Sequence, residues 1–428
     1  MDTIFAVSSG APPAAIAVLR LSGPQAFEAA EALAGTLPQP RRAGLRALRD
    51  SSGELLDRAL VLTFPGPDSA SGEDLVELHL HGGRAVVRAV QAALGAIEGL
   101  RPAEAGEFTR RALLNGRMDL SEAEGLGDLL IAETEAQRRI AVRAAEGGVR
   151  RQVEAWAQRL LGLAAQVEAQ LDHSDEDDVA DGADSLAALH AAAAALARDI
   201  ADVASRPPVE RLRDGLRVVL AGPPNAGKST LLNAMVEREA AIVSPIAGTT
   251  RDRIEAPVTR GGTAWLLIDT AGLAETTADP IEAIGITRAR AALDEADIVL
   301  WLGDDAPPPH PALLWLLPRA DMVGRESASG ERLVVSGATG AGIDALWAAL
   351  DRLASALLPQ SDMLALNRRQ RDLAEAAGDA LGRAAMQHDL LLYAEELRSA
   401  RRSFDAITGR VGVESMLDAL FSRFCIGK

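Results

Sequence analysis

Three kinds of apolar spacing succeed one another along the chain. Over the first hundred residues, short runs such as IAVLRLSG, RALVLTF and DLVELHLHGG predict strands, while PQAFEAAEALAG and RAVVRAVQAALGAI carry helical spacing. A small α+β domain is expected there. From about Gly106 to Pro207 the spacing is helical in long Ala- and Leu-rich stretches, broken by LDHSDEDDVADGAD. That break holds seven acids and no Lys or Arg between Asp172 and Asp184, the composition of a solvated loop. Between Gly215 and Leu358 strands alternate with helices: LRVVLAG precedes a helix from Lys228, TAWLLID precedes IEAIGITRARAALDEA, and DIVLWLG, LLWLLP and RLVVSG precede IDALWAALDRLASALL. Such alternation predicts a parallel sheet covered by helices. The stretch between DIVLWLGDD and LLWLLP is brief and proline-rich, so one crossover helix is expected to be truncated. After Pro359 the pattern is helical to the end. The expected organisation is an α+β domain over 1–115, an α/β domain over 213–358, and a helical domain whose two parts, 116–212 and 359–428, flank that insertion.

Composition narrows the class. The chain has 428 residues, 48% apolar and 25% charged, which is the balance of a globular protein. No run of apolar residues is long enough to span a bilayer. The start, MDTIF, has an acid and no basic stretch, so a secretory leader is not expected. A single cysteine, Cys425, precludes an intrachain disulfide and fits a reducing cytoplasm. A net charge of −17 and 3% aromatics argue against broad nucleic-acid binding, so any RNA contact must be local or shared with a partner. Of 44 basic residues only Lys228 and Lys428 are lysine, which marks both as candidates for sites that need a compact ammonium.

Lys228 belongs to Gly222-Pro-Pro-Asn-Ala-Gly-Lys-Ser-Thr230, a G-x-x-x-x-G-K-[ST] loop lying between a predicted strand and a predicted helix. Glycines let such a loop wrap with its N–H groups inward, as Asn225, Ala226, Gly227 and Thr230 would, while the lysine reaches outer phosphates and Ser229 ligates magnesium. Downstream, Gly248-Thr249-Thr250-Arg-Asp252 offers hydroxyls where a switch loop would close on metal and terminal phosphate. Asp269-Thr270-Ala271-Gly272 follows a strand, where the acid can hold magnesium through water and the Gly272 N–H can sense that phosphate. The order and spacing resemble the GTPase branch of P-loop proteins, which makes GTP the expected nucleotide.

The base-reading loop departs from pattern. GTPases use N-K-x-D there; this chain has Pro318-Arg319-Ala320-Asp321. Asp321 can accept from the guanine N1 and exocyclic amine, and Arg319 can lie over the ring, but Pro318 cannot supply an asparagine side chain. Ser336-Gly337-Ala338 resembles the second base-contacting loop and could present the Ala338 N–H. Leu273 occupies the place where many GTPases have a water-orienting glutamine, so another device is required. Asn225 admits two readings, as a ligand for a monovalent cation acting like an arginine finger or as a residue that only shapes the loop.

AIVSPIAGTTRD, DTAGL followed by IEAIGI, GEDLVELHLHGG, AGEFTRRALLNGRMDLSEAEGLGDLL and the terminal FCIGK together resemble the MnmE (TrmE) family of tRNA-modification GTPases over nearly the whole chain. The resemblance implies a Ras-like G domain stimulated by potassium, N-terminal domains that dimerise and bind a one-carbon tetrahydrofolate (5-formyl- or methylene-), and an FAD-dependent partner, MnmG (GidA), in a heterotetramer. Together the two would add an aminomethyl-type group to carbon 5 of the wobble uridine of certain tRNAs. It also implies potassium ligands Asn225, Ser244, the Ile246 carbonyl and Thr249, within a covering loop that includes Pro245 and Ala247. Ser229 and Thr250 match the magnesium ligands, and Glu282 matches the glutamate that orients attacking water, against its alternative as an exposed helix residue. Arg20, Glu77, Arg117 and Lys428 match folate contacts, with Arg117 in place of a lysine. Cys425 is either a participant in the modification or a small buried residue. His79 and His81 share a strand face, yet no third ligand is spaced for a metal. A rival from another class is an Era-like GTP-dependent switch that docks on RNA or ribosome without chemistry; it would need neither a folate pocket nor FCIGK.

Overall fold

The computed structural model describes residues 2–172, 182–238, 255–270, 291–323, 325, 332–360, 363–411, 417, 420–422, 424 and 426–427. The acidic stretch 173–181 lies outside them. The chain divides into two compact units, one of Met1–Leu130, Ala144–Gly162 and Arg398–Lys428, the other of Ile131–Arg143 and Leu163–Leu397.

The first unit opens with β1 (Thr3–Val7), β2 (Ile16–Ser22), α1 (Ala26–Ala34), β3 (Gly44–Arg49), β4 (Leu55–Phe64), β5 (Leu75–His81), α2 (Arg84–Gly95) and β6 (Leu100–Pro102). They form one sheet in the order β3-β4-β5-β2-β1-β6, antiparallel except between β1 and β6. Alternation makes the sheet two-faced. Leu19, Leu21, Val61, Leu78 and Leu80 point to one side and are buried with Ala30 and Leu33 of α1 and Val90 and Leu94 of α2. Each buried leucine or valine of this set contributes about 1.5–3 kcal/mol. The other face carries Arg20, Glu77 and His79. Next come α3 (Glu107–Leu114), α4 (Leu120–Ile131), α5 (Glu135–Ala145), which falls almost wholly in the second unit, and α6 (Gly148–Asp172), of which the part to Gly162 belongs to the first. Trp156 and Phe404 stack at 5.9 Å between centroids. The C-terminal tail lies on β1: Ile426 bridges Ala105, and the Ser8 hydroxyl donates to the Gly427 carbonyl at 2.7 Å. Gly427 has φ +100°, and a Cβ there would fall 2.1 Å from the Val7 carbonyl oxygen, so only glycine allows this approach.

The second unit holds α7 (Gly182–Ala204), α8 (Val209–Arg213), β7 (Leu216–Ala221), α9 (Lys228–Arg238), β8 (Glu255–Arg260), β9 (Thr263–Asp269), β10 (Ile298–Trp301), β11 (Leu313–Leu317), β12 (Leu333–Val334), α10 (Ile343–Leu357), α11 (Arg368–Ala384) and the start of α12 (Leu390–Thr408). The sheet order is β12-β11-β10-β7-β9-β8. Two features differ from the pattern-based expectation. The sheet is not wholly parallel, because β8 pairs antiparallel with β9 through the Gly261-Gly262 turn. The crossover from β10 to β11 carries no helix over 302–312. Prolines 307, 308, 309 and 311 remove donors there. Side chains fix the segment instead: Ala312 N–H donates to His310 Nδ1, His310 Nε2 to Ala296 O, and Trp315 Nε1 to Gly303 O.

Leu189, Ala193, Leu196 and Ile200 of α7 are fully buried, as are Ala374, Ala377, Ala380 and Ala384 of α11, and these two helices pack together closely. No described helix is long and apolar enough to cross a membrane. Tyr393, the one tyrosine, is buried and donates to the Leu189 carbonyl at 2.9 Å. Burial pushes its phenol up to about 12. A raised phenol means the unfolded chain loses its proton first, so this contribution to stability is present at neutral pH and declines above about pH 10. A tyrosinate absorbance titration of the native protein should therefore show a midpoint near 12. Tyr393→Phe should remove that alkaline decline and cost about 1 kcal/mol at neutral pH by loss of the hydrogen bond.

Candidate functional site

The central strand β7 has β9 on one side and β10 on the other, so the chain leaves its carboxyl end at the point where the strand order reverses, the usual place for a ligand crevice. Leu220 pairs with Asp269, which sets the loop after β7 beside the end of β9. The loop turns on left-handed residues, Gly222 at φ +147°, Asn225 at +61° and Gly227 at +94°. Asparagine is one of the few side chains that tolerate this region. Lys228, 6% exposed, folds back to donate to the Gly222 and Pro223 carbonyls at 3.0 Å each. The Ser229 hydroxyl donates to the Asp269 carboxylate, itself 1% exposed. Thr270 anchors the turn through its hydroxyl to the Leu220 carbonyl at 2.8 Å. Paired oxygens at a helix N-terminus with a lysine alongside form the donor set of a magnesium triphosphate site.

A cavity of about 230 Å³ adjoins the loop, lined by Gly227, Thr230 and Leu231 on one side and by Pro318, Arg319, Asp321, Met322, Val335, Gly337 and Ala338 on the other. Thus both base-loop segments meet the phosphate loop. Ser336, fully buried, donates its hydroxyl to Asp321, and that bond is the main cause holding the Asp321 carboxyl below its ordinary value. Arg319, at φ +60°, donates from its guanidinium to the Asn225 carbonyl while its stem lies against Gly227. The tie between base loop and phosphate loop is made by arginine where Pro318 has no side chain to make it. Leu231, Met322 and Val335 belong to no motif, so only the folded chain reveals them as lining. Ser244, Pro245, Ile246, Ala247, Gly248, Thr249, Thr250, Ala271, Gly272 and Glu282 lie outside the described residues.

In the first unit, Glu77 and Arg117 line one cavity of about 410 Å³ with Arg41, Phe64, Asp68 and Ser69. Arg20 donates to Glu77 Oε1 from Nη2 at 2.8 Å and Nε at 3.2 Å, and His79 Nε2 stands 3.2 Å from Glu77 Oε2. Burial raises the Glu77 carboxyl, but Arg20 and then His79 outweigh it, and the net shift is downward. His81 instead bonds Asp57 at 2.7 Å, so the two histidines serve different carboxylates. No group of three or more possible metal ligands occurs among the described residues. Arg41 and Phe64 carried no signal in the sequence; Cys425 and Lys428 lie outside the described residues, though Gly427, next to Lys428 in the chain, is fixed on Ser8.

A doubly wound sheet with a lysine-bearing loop, an apposed Ser229–Asp269 pair and a two-loop base cavity defines the class of P-loop GTPases. Two family descriptions match the chain: "GTP-binding protein TrmE N-terminus" over residues 3–117 and "MnmE helical domain" over 120–425. The tRNA modification GTPase MnmE of Erythrobacter litoralis is 57% identical over all of both chains, and that of Rhizorhabdus wittichii is 58% identical over all of this chain and 97% of its own. The chain belongs to the MnmE family of tRNA modification GTPases. Among solved structures, the G domain of the T. maritima FeoB iron transporter is 23% identical over 32% of this chain and 98% of its own, with a TM-score of 0.24.

Arg319 generates a prediction. Arg319→Ala should weaken binding of a fluorescent GDP analogue by about tenfold, the usual worth of a hydrogen bond to a charged donor, and Arg319→Lys should recover most of the loss.

Proposed function

We propose that the chain is a potassium-stimulated GTP hydrolase that works as a homodimer with the FAD protein MnmG on tRNA in the cytoplasm. The pair would install a carboxymethylaminomethyl or aminomethyl group on carbon 5 of the wobble uridine. The observation that carries the hydrolase reading is the convergence of Lys228, Ser229 and Asp269 at the adjoining ends of β7 and β9. The MnmG, folate and uridine parts rest on the family resemblance, with the cavity at Glu77 and Arg117 in support. The division of labour follows the expected domains, with 213–358 turning over nucleotide and 1–115 together with the tail holding folate.

In this reading Lys228 exchanges its two loop carbonyls for the outer phosphate oxygens. Ser229, Thr250 and, through water, Asp269 are hard oxygen donors that suit magnesium, which neutralises charge developing on the phosphates. Asn225, Ser244, the Ile246 carbonyl and Thr249 would hold potassium, whose charge substitutes for an arginine finger. Glu282 orients the attacking water, the role that Leu273 cannot fill. Asp321, kept ionised by Ser336, accepts from guanine N1 and the exocyclic amine. For folate, Glu77 would pair with the pterin amino group and ring nitrogen, with Arg20 fixing its carboxylate, while Arg117 and Lys428 face the ligand's carboxylates.

Exchange of potassium for sodium should lower the GTP turnover rate about tenfold or more if the cation stabilises the transition state. Asn225→Ala should make the rate insensitive to the exchange; equal rates in both salts for the unmutated protein would refute the potassium assignment. A second measurement addresses the base. Asp321→Asn should shift preference from guanosine to xanthosine triphosphate, and an unchanged preference would show that the Pro318 loop does not contact the base.

A further inference from the structure

The cavity of the first unit is bipolar. Leu62 of β4 pairs with Glu77 of β5, and Phe64 pairs with Leu75. The Phe64 ring therefore stands one pleat, about 7 Å, farther along the sheet than Glu77 on the same face. Arg41 is held over that ring. Its backbone N–H donates to the Thr63 carbonyl at 2.9 Å, and its left-handed φ of +62° turns the side chain across the strand. The guanidinium then lies 5.7 Å from the Phe64 centroid and donates to the Asp68 carbonyl. Arg117 reaches the same residue from α3's far end, with Nη1 3.6 Å from the Asp68 carboxylate.

The wall carrying Asp68 is firmly built. Gly66 N–H donates to Asp74 at 2.9 Å, Ser69 Oγ donates to the Glu73 carbonyl at 2.5 Å, and Asn115 donates to the Ser71 carbonyl at 2.8 Å. Both arginines thus converge on Asp68, Arg41 at its backbone carbonyl and Arg117 beside its carboxylate, which is 81% exposed and only loosely paired. The end of the cavity opposite Glu77 carries net positive charge in a chain of net charge −17. A ligand carboxylate can take the place of the Asp68 carboxylate there without leaving any charge buried and unpaired.

We infer that Arg41, together with Arg117, binds the anionic tail of the folate and makes the site select folates carrying several γ-linked glutamates. This rests on the folate reading of the cavity and extends it to a residue and a ligand form. Glu77 reads the hydrogen-bonding head, Phe64 lines the cavity between, and each additional tail carboxylate meets the cationic end formed by Arg41 and Arg117. Selectivity of this kind is electrostatic and partly exposed, so it weakens as salt rises.

The test is calorimetry on the full chain with tetrahydropteroate, which has no glutamate, tetrahydrofolate monoglutamate and its triglutamate. The triglutamate should bind about fivefold tighter than the monoglutamate at low salt, a ratio typical of one or two partly exposed charge pairs. Added sodium chloride should shrink the ratio. Arg41→Ala should abolish it and leave tetrahydropteroate affinity unchanged. Asp68→Asn changes an exposed side chain and should raise triglutamate affinity. Equal affinity for monoglutamate and triglutamate in the unmutated protein overturns the inference and leaves the folate reading standing, whereas failure of all three probes to bind overturns both. Should Arg41→Ala lower the melting temperature and lose every probe, Asp68→Asn decides: unchanged triglutamate affinity refutes the tail site.

Discussion

The pairing of Leu220 with Asp269 between two parallel strands is the constraint on which the nucleotide site depends. A one-residue slip would turn every side chain of β9 to the other face and carry the Asp269 carboxylate away from Ser229. The register is protected because Val218, Leu220, Trp265 and Leu267 are all buried in one core. Packing thereby places a carboxylate within reach of Ser229 at the first turn of α9, and Thr270 locks the exit of the strand by its bond to Leu220. The chemistry is local, but its geometry comes from hydrophobic burial in the layer beneath.

The N-terminal sheet solves a different problem by the same alternation. Its helix-covered face supplies stability, which frees the opposite face for Glu77, His79 and Arg20 at cross-strand positions. A carboxylate there must keep its charge despite partial burial, and Arg20 does this directly by two donations to one oxygen. The other oxygen faces His79, so the orientation of the carboxylate is held from both sides. Gly427 brings the end of the chain onto β1, next to β2 in the sheet that carries Arg20.

Motif residues were legible because their chemistry depends on local spacing: the loop from Gly222 to Thr230 and Asp269 lie where strand and helix patterns put them. The contacts between separate segments that finish each site were not. Nothing in the text around Arg41 distinguishes it from the other arginines, since its place over Phe64 depends on a left-handed backbone and a strand pairing between distant residues. Strand β8 was missed because EAPVTR contains proline, yet Pro257 is tolerated on an edge strand. The crossover after β10 was expected to hold a truncated helix, and the proline run leaves none because four positions lack a backbone donor.

Arginine dominates the cations of this chain, and both candidate sites show what that choice entails. Arg319 and Arg41 each spend a donor on a neutral backbone carbonyl, of Asn225 and Asp68 respectively. A planar guanidinium has five donors, so it can tie two loops together and still present its charge to a ligand. An ammonium could do one or the other with less directional control. Lys228 is the exception that fits the same logic: it is almost fully buried and donates to two carbonyls 3.0 Å away, a setting suited to a compact charge that must swing from loop to phosphate. The fork serves where a loop must be held, and the point charge serves where the cation must move.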